Sequence, residues 1–193
     1  MKYPEYVEVE GKLYKINTDF RVAIECNRIA EDNTIGDFER ALGIIYTLFG
    51  EEGINAQGHY GKLLELAKKY LSCGKEIEDT NDKPDMDFIE DMDYIEASFM
   101  SDYHMDITDQ KIHWWKFCNL MNGLSNSELG NCCVLNRIRN LRTFDLSTIK
   151  DNKERQKIAK AKKQVELKRD KKENHLTKEQ EESIERLNKI LGI

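Results

Sequence analysis

The sequence predicts a mainly α-helical protein: a helical bundle preceded by a short N-terminal β-hairpin and followed by a charged helical C-terminal arm. Three observations predict it. Apolar residues recur every three or four positions in one segment after another, period-two alternation is confined to one stretch near the N-terminus, and charge is unevenly divided along the chain. Residues 1–149 carry 16 Lys/Arg against 27 Asp/Glu, whereas residues 150–172 carry 11 against 4, so the net charge of −6 conceals an acidic body with a basic arm. At 193 residues, 39% hydrophobic and 34% charged, the chain has the composition of a soluble protein with a core of moderate size.

The hairpin is predicted from Tyr6 to Ile16, where alternation runs on either side of Glu10-Gly11. Asn17-Thr18-Asp19 offers an N-cap for a first helix over about 19–31, with Phe20, Ala23, Ile24 and Ile29 at helical spacing. A second helix begins near Ile35; its stripe of Phe38, Ala41, Leu42, Ile45, Leu48 and Phe49 is of the kind that faces a core, and Gly50 and Gly53 end it. The third, from about Tyr60 to Cys73, carries Leu63, Leu64, Ala67, Tyr70 and Leu71, with Gly74 placed to take the left-handed conformation after it.

Residues 75–86 are polar and acidic and hold one of the two prolines, so they read as an exposed linker. From Asp87 to His104 a strongly amphipathic helix is expected, with Phe88, Met92, Ile95, Phe99 and Tyr103 inward and Glu90, Asp91, Asp93 and Glu96 on an acidic outer face. Thr108-Asp109 is read as the cap of the next helix, whose stripe is Trp114, Phe117, Cys118, Met121 and Leu124. Trp114 then belongs to the core. Trp115 lies about 100° around the helix, where either another helix of the same fold covers it or it anchors a partner. A further helix is expected over roughly 126–140, with Cys132 and Cys133 as packing residues, and another from Ser147 to about Asp170, its apolar residues too sparse for a core of its own. The final helix, Thr177 to Leu191, opens on a capping box and carries Ile184, Leu187, Ile190 and Leu191, a stripe that calls for a partner in cis or in trans. The domain reading is thus 1–74 as hairpin plus three helices, 75–86 as acidic linker, 87–146 as helical continuation of the same body, and 147–193 as charged helical arm.

Function classes narrow by elimination. Five cysteines without a CxxC pair read as reduced thiols of a cytosolic protein. No 18-residue apolar run and no signal-peptide-like N-terminus is found, so neither membrane insertion nor secretion is expected. The chain holds no P-loop, GxGxxG, GxSxG or HExxH. Asp102 to Asp109 alternates oxygen and nitrogen ligands like the start of a calcium loop, but the sixth and twelfth positions are Ile107 and His113 in place of Gly and Glu. No metal, no cofactor and no enzymatic activity are expected.

Several blocks in order, Ile16-Asn17-Thr18-Asp19-Phe20-Arg21, Asp87-Phe88, Ala97-Ser98-Phe99, Asp102-Tyr103, His113-Trp114-Trp115-Lys116-Phe117, Gly123-Leu124-Ser125, Ile138-Arg139, Asp145-Leu146-Ser147 and Ile149-Lys150-Asp151, resemble the bacteriophage gene-product-fifteen family, small proteins of tailed phages and prophages of Gram-positive bacteria. The resemblance covers roughly residues 10–165. Members are typically encoded between the major tail protein and the tape measure protein, the place that tail assembly chaperones occupy. The resemblance therefore implies a non-enzymatic tail assembly protein in the cytoplasm of the infected or lysogenic host, with the tape measure protein as partner and the major tail protein as a second candidate. Trp115, Phe117, Ile184, Leu187 and Leu191 are the expected contact residues. Two alternatives stand beside it: a nucleic-acid-associated phage protein acting through Lys160, Lys162, Lys163, Lys168 and Arg169, and a structural virion component such as a head–tail connector. Interleaved Asp and Glu, and the lack of an aromatic in 150–172, weigh against the first.

Overall fold

In a computed structural model, residues 3–76, 83–126 and 132–168 are described, and among them the chain is mainly helical with one two-stranded sheet. Strands β1 (Tyr6–Val9) and β2 (Lys12–Lys15) pair antiparallel, Val9 opposite Lys12. The two-residue turn between them places Glu10 at φ 51° and Gly11 at φ 80°, the left-handed pair that matches the twist of a hairpin. Val9 and Tyr14 turn inward, while Leu13 stays 60% exposed.

Helix α1 (Phe20–Glu31) starts at Asp19, whose carboxylate accepts from the Arg21 N–H, as the sequence predicts. Helix α2 (Asp37–Ile54) does not stop at Gly50: that residue, at φ 66° and ψ −154°, kinks the helix and lets it resume to Ile54. A short 3-10 turn, Gln57–His59, leads into α3 (Tyr60–Leu71). Gly74 is left-handed as expected, at φ 72°, and Cys73 before it shares that conformation at φ 56°. Helix α2 packs between α1 and α3, and α2 and α3 pack on the hairpin.

Helix α4 (Met92–Tyr103) begins five residues later than the periodicity predicts. The reason is local: the Asp87 carboxylate accepts from the N–H groups of Ile89 and Glu90, both at 2.8 Å, and the Asp91 carboxylate accepts from Asp87 N–H at 3.0 Å, so 87–91 closes into a turn. Helix α5 (Trp114–Asn122) is capped by His113 rather than by Thr108-Asp109. Its Nδ1 accepts from Trp115 N–H, and an imidazole that accepts at Nδ1 carries its proton on Nε2, which meets Pro4 O at 2.9 Å.

The helix expected over 126–140 is α6 (Val134–Thr143). An Asn126–Cys132 bridge and the 3.0 Å bond from Cys133 N–H to Ser125 O keep the preceding residues out of it. The Cys133 sulfur caps α6, the Ser98 hydroxyl of α4 accepts from Leu135 N–H at 3.0 Å, and the buried Asn136 amide donates to Leu124 O and Ser125 O. The helix expected from Ser147 divides into a 3-10 turn, Leu146–Thr148, and α7 (Asn152–Gln164), because Asp145 caps the first and Asp151 the second. Residues 169–193, including the predicted final helix, lie outside the described residues.

One buried core is continuous through these elements. Phe117 is fully buried, stacked at 4.3 Å on Phe20 of α1 and at 5.4 Å on Phe99 of α4, with Trp114 at 5.9 Å. Aromatic pairs at such separations add to the burial of their area. A short antiparallel bridge joins Asp19 to His113, through Phe20 N–H to Ile112 O at 2.9 Å and Trp114 N–H to Thr18 O at 2.8 Å, so α1 and α5 leave one junction side by side. The Arg21 guanidinium fastens the loop before it, donating to the carbonyls of Ile107, Thr108 and Gln110.

Asp91, expected on the acidic outer face, is fully buried. The Arg142 guanidinium meets it with two bonds of 2.6 and 2.7 Å, and also donates to Asp85 O at 3.0 Å and Val165 O at 2.6 Å. Removing one member of such a pair strands the other charge, at a cost of about 3–5 kcal/mol. Arg142→Ala and Asp91→Ala are each expected to lower unfolding free energy by about that amount in urea titrations, and the double variant to lose clearly less than the two together. A second expectation concerns acid. Asp102 accepts from Ser125 N–H at 2.7 Å, and that bond holds its carboxyl below the ordinary 3.8. A depressed folded value adds stability that is complete above the unfolded value and lost as pH falls through the folded one. Asp102→Asn should flatten the stability profile below about pH 4 while lowering stability at neutral pH, read by thermal melts across pH.

Candidate partner-binding surface

An exposed apolar row lies on α2. Ile35 just before it and Phe38 and Tyr46 within it are 37%, 64% and 57% exposed, with the half-buried Leu42 between them. Phe38, Leu42 and Tyr46 are spaced by four, so they form one row along the helix. Phe38 and Leu42 were expected in the core-facing stripe. Ile45, Leu48 and Phe49 of that stripe are buried as expected, joined by Ile44, while Phe38 is exposed and Leu42 half-buried.

Local chemistry holds this row where it is. Asp32 closes a turn on Thr34, accepting from its N–H at 2.9 Å and its hydroxyl at 2.6 Å, and these bonds lower the Asp32 pKa. The Arg40 guanidinium reaches back to Asp32 O at 2.9 Å and pairs with Asp37. On the side toward α1, Gly43 meets Ile29 so closely that an added Cβ would sit 3.1 Å from its side chain. That contact fixes which flank of α2 faces solvent.

The residues singled out from the sequence are spread differently. Trp114 is buried and donates its indole N–H to Leu71 O at 2.9 Å; Trp115 is half-buried and donates to Tyr70 O at 2.9 Å. Both indoles thereby bind last-turn carbonyls of α3, and the Trp115 ring stacks on Tyr70 and lies against Gly74. Another element of the same fold covers much of Trp115. Phe117, expected as a contact residue, is 0% exposed and has no surface to present. Ile184, Leu187, Leu191 and Arg169 lie outside the described residues.

On α7, Lys160 and Lys163 are exposed, while Lys162 donates to Phe144 O at 2.8 Å. Beyond it, Lys168 donates its backbone N–H to the Glu90 carboxylate at 3.0 Å, and Leu167 is 1% exposed. The basic stretch is thus fastened to the body toward its C-terminal end, at Lys162 and Lys168.

A cleft of about 590 Å³ is lined by Asp102, Tyr103, Ser125, Cys132 and Arg137 among others. Asp102 is engaged by Ser125, and burial pushes the Cys132 thiol up, which disfavours the thiolate. The residues resembling a calcium loop are turned to local bonds, Asp106 accepting from both Thr108 N–H and its hydroxyl. Among the described residues no group of three or more His, Cys, Asp or Glu is arranged to hold a metal ion, and no helix is long and apolar enough to cross a membrane.

The row on α2 escaped the sequence reading because Phe38 and Leu42 fit the core stripe equally well. Tyr46, four residues beyond Leu42 and outside that stripe, was the available sign of a second apolar flank. The paired Asp91 and Arg142 carried no local sign at all.

A family model described as Bacteriophage Gp15 protein matches residues 2–167. No curated protein and no solved structure matches the chain. The matched span ends at Leu167, the last buried residue of the described body, so the match and the packed structure cover the same stretch. The chain belongs to the Bacteriophage Gp15 protein family.

Proposed function

We propose that this phage protein is a non-enzymatic tail assembly chaperone that binds the tape measure protein before the tail tube forms around it. The observation that carries the reading is the open apolar row of Phe38, Leu42 and Tyr46 on α2, with Ile35 just before it, beside the flank of the same helix that is built into the core. A tape measure is a long, largely helical chain with apolar stripes, and a row spaced by four residues is the complement that a helical stripe takes. Support also comes from the gene position that the family resemblance implies. The acidic body keeps such a complex soluble and opposes self-association.

A second reading, in which the basic stretch of α7 holds nucleic acid, is favoured by one observation: Lys153, Arg155, Lys157, Lys160 and Lys163 are all exposed. Glu154 and Asp151 stand among them, and no aromatic side chain lies on α7 to stack on a base.

Co-expression with the tape measure protein of the same phage is expected to give a soluble, co-purifying complex. Phe38→Asp and Tyr46→Asp should abolish co-purification while changing the chain's own stability by no more than about 0.5 kcal/mol, since both side chains are exposed. A tape measure protein equally soluble without this partner refutes the reading. For the second reading, a gel shift at low ionic strength is expected to show no retarded species; a shift that disappears steeply with added salt would establish it instead.

A further inference from the structure

We propose that the groove between α1 and the turn leading into α4 is the docking site of this chain's own residues 177–191, which fold back on the body in cis. The groove, about 420 Å³ in volume, is walled by Ile24, Arg28 and Glu31 of α1 and, opposite them, by Met86, Phe88 and Ile89. The three α1 residues stand at i, i+4 and i+7 and share one face of that helix. Ile24 is 7% exposed and belongs to the core, whereas Ile89 on the rim is 55% exposed. Its backbone is pinned there, because the Asp87 carboxylate accepts from Ile89 N–H at 2.8 Å. An apolar floor with charges on its rim is the surface that an amphipathic helix lays its stripe into.

The chain itself leads an occupant to this place. Lys168 is the last described residue, and its backbone N–H is bound by the Glu90 carboxylate at 3.0 Å, one residue from Ile89. Residues 169–193 therefore set out from the rim of the groove. Among them, Thr177 to Leu191 is the stretch with helical apolar spacing, Ile184, Leu187 and Leu191 standing at i, i+3 and i+7. A helix of that length is marginal by itself in water and gains its stability from burying such a stripe.

Length, charge and tethering agree with this occupant. Ile24 to Glu31 and Ile184 to Leu191 are equal steps in sequence, each about 10 Å along a helix. The spacer 169–176 reaches up to about 26 Å when extended, enough to turn the following helix back along α1. Its Arg169, Lys171 and Lys172 are opposite in sign to Glu31, Asp32 and Asp87 around the groove, where Arg28 is already paired with Glu25 at 2.6 Å. A tethered segment meets its site at an effective concentration on the order of millimolar, which favours the chain's own residues over those of a second copy. No residue of the open row on α2 lines this groove, so the docking stands apart from the client reading.

Hydrogen exchange on the full-length chain, with no client present, tests this. Amides of 177–191 should exchange at least about tenfold more slowly than those of an unstructured chain. Ile89→Asp on the rim and Leu187→Asp on the segment should each abolish that protection while leaving exchange in α4 and α5 as in the parent, and Phe38→Asp should leave the protection intact. A photo-reactive benzoylphenylalanine in place of Leu187 should cross-link to α1 or to residues 84–89 of the same molecule, with no mixed pairs when light and heavy isotope-labelled chains are combined. Free exchange of 177–191 in the parent, protection that survives Ile89→Asp, or cross-links to α2 or to a second chain would each overturn the proposal.

Discussion

A guanidinium buried to 11% side-chain exposure has five N–H donors to satisfy, and the way Arg142 satisfies them decides how the second half of this chain is arranged. Two donors take the Asp91 carboxylate, which is itself 1% exposed, and others take the carbonyls of Asp85 and Val165. Three segments far apart in sequence are thereby set around one charge: the residues leading into α4, the end of α6 and the stretch after α7. Arg139 repeats the theme at the edge with an ion pair to Asp85 at 3.0 Å. A buried pair of this kind is weak as a source of net stability, because desolvation offsets most of its attraction, but it is exacting about geometry. Leu167 is buried because the chain leaving α7 is brought back to this node.

The first half is joined to the second by aromatic chemistry. Phe117 and Trp114 of α5 fill the space between α1 and α4, and the two indole N–H groups bind the Leu71 and Tyr70 carbonyls at the end of α3. His113 adds the N-terminal segment through Pro4, and Tyr3 stacks on its ring at 5.0 Å. The blocks that carry the family resemblance are, residue by residue, these joints: Asp19 and Arg21, Asp87, Asp102 on Ser125, the two tryptophans, Arg139 and Asp145. They specify a scaffold. The open row on α2 lies outside every one of them.

That division bears on chemistry as well. Asp32, Asp102, Asp106 and Asp145 are held in turns and caps, where N–H and hydroxyl donors lower each carboxyl group below its ordinary range.

By itself the sequence determined what short-range rules govern. Alternation around Glu10-Gly11 means a hairpin since only a left-handed turn closes it; Asp19 before an apolar period means a cap; Gly74 after one means a stop; and Trp114 at the centre of a stripe means core. Helix starts at Met92, Val134 and Asn152 were not legible, because Asp87, Ser125 and Asp151 draw backbone N–H and C=O groups into turns that compete with helical periodicity. Only the tertiary structure decided that Asp91 is buried, that Phe117 has no surface, that Trp115 rests on α3 and that Phe38 faces water. In each case the deciding partner is distant in sequence, and a side chain's spacing along its own helix says that it has a face without saying what stands opposite.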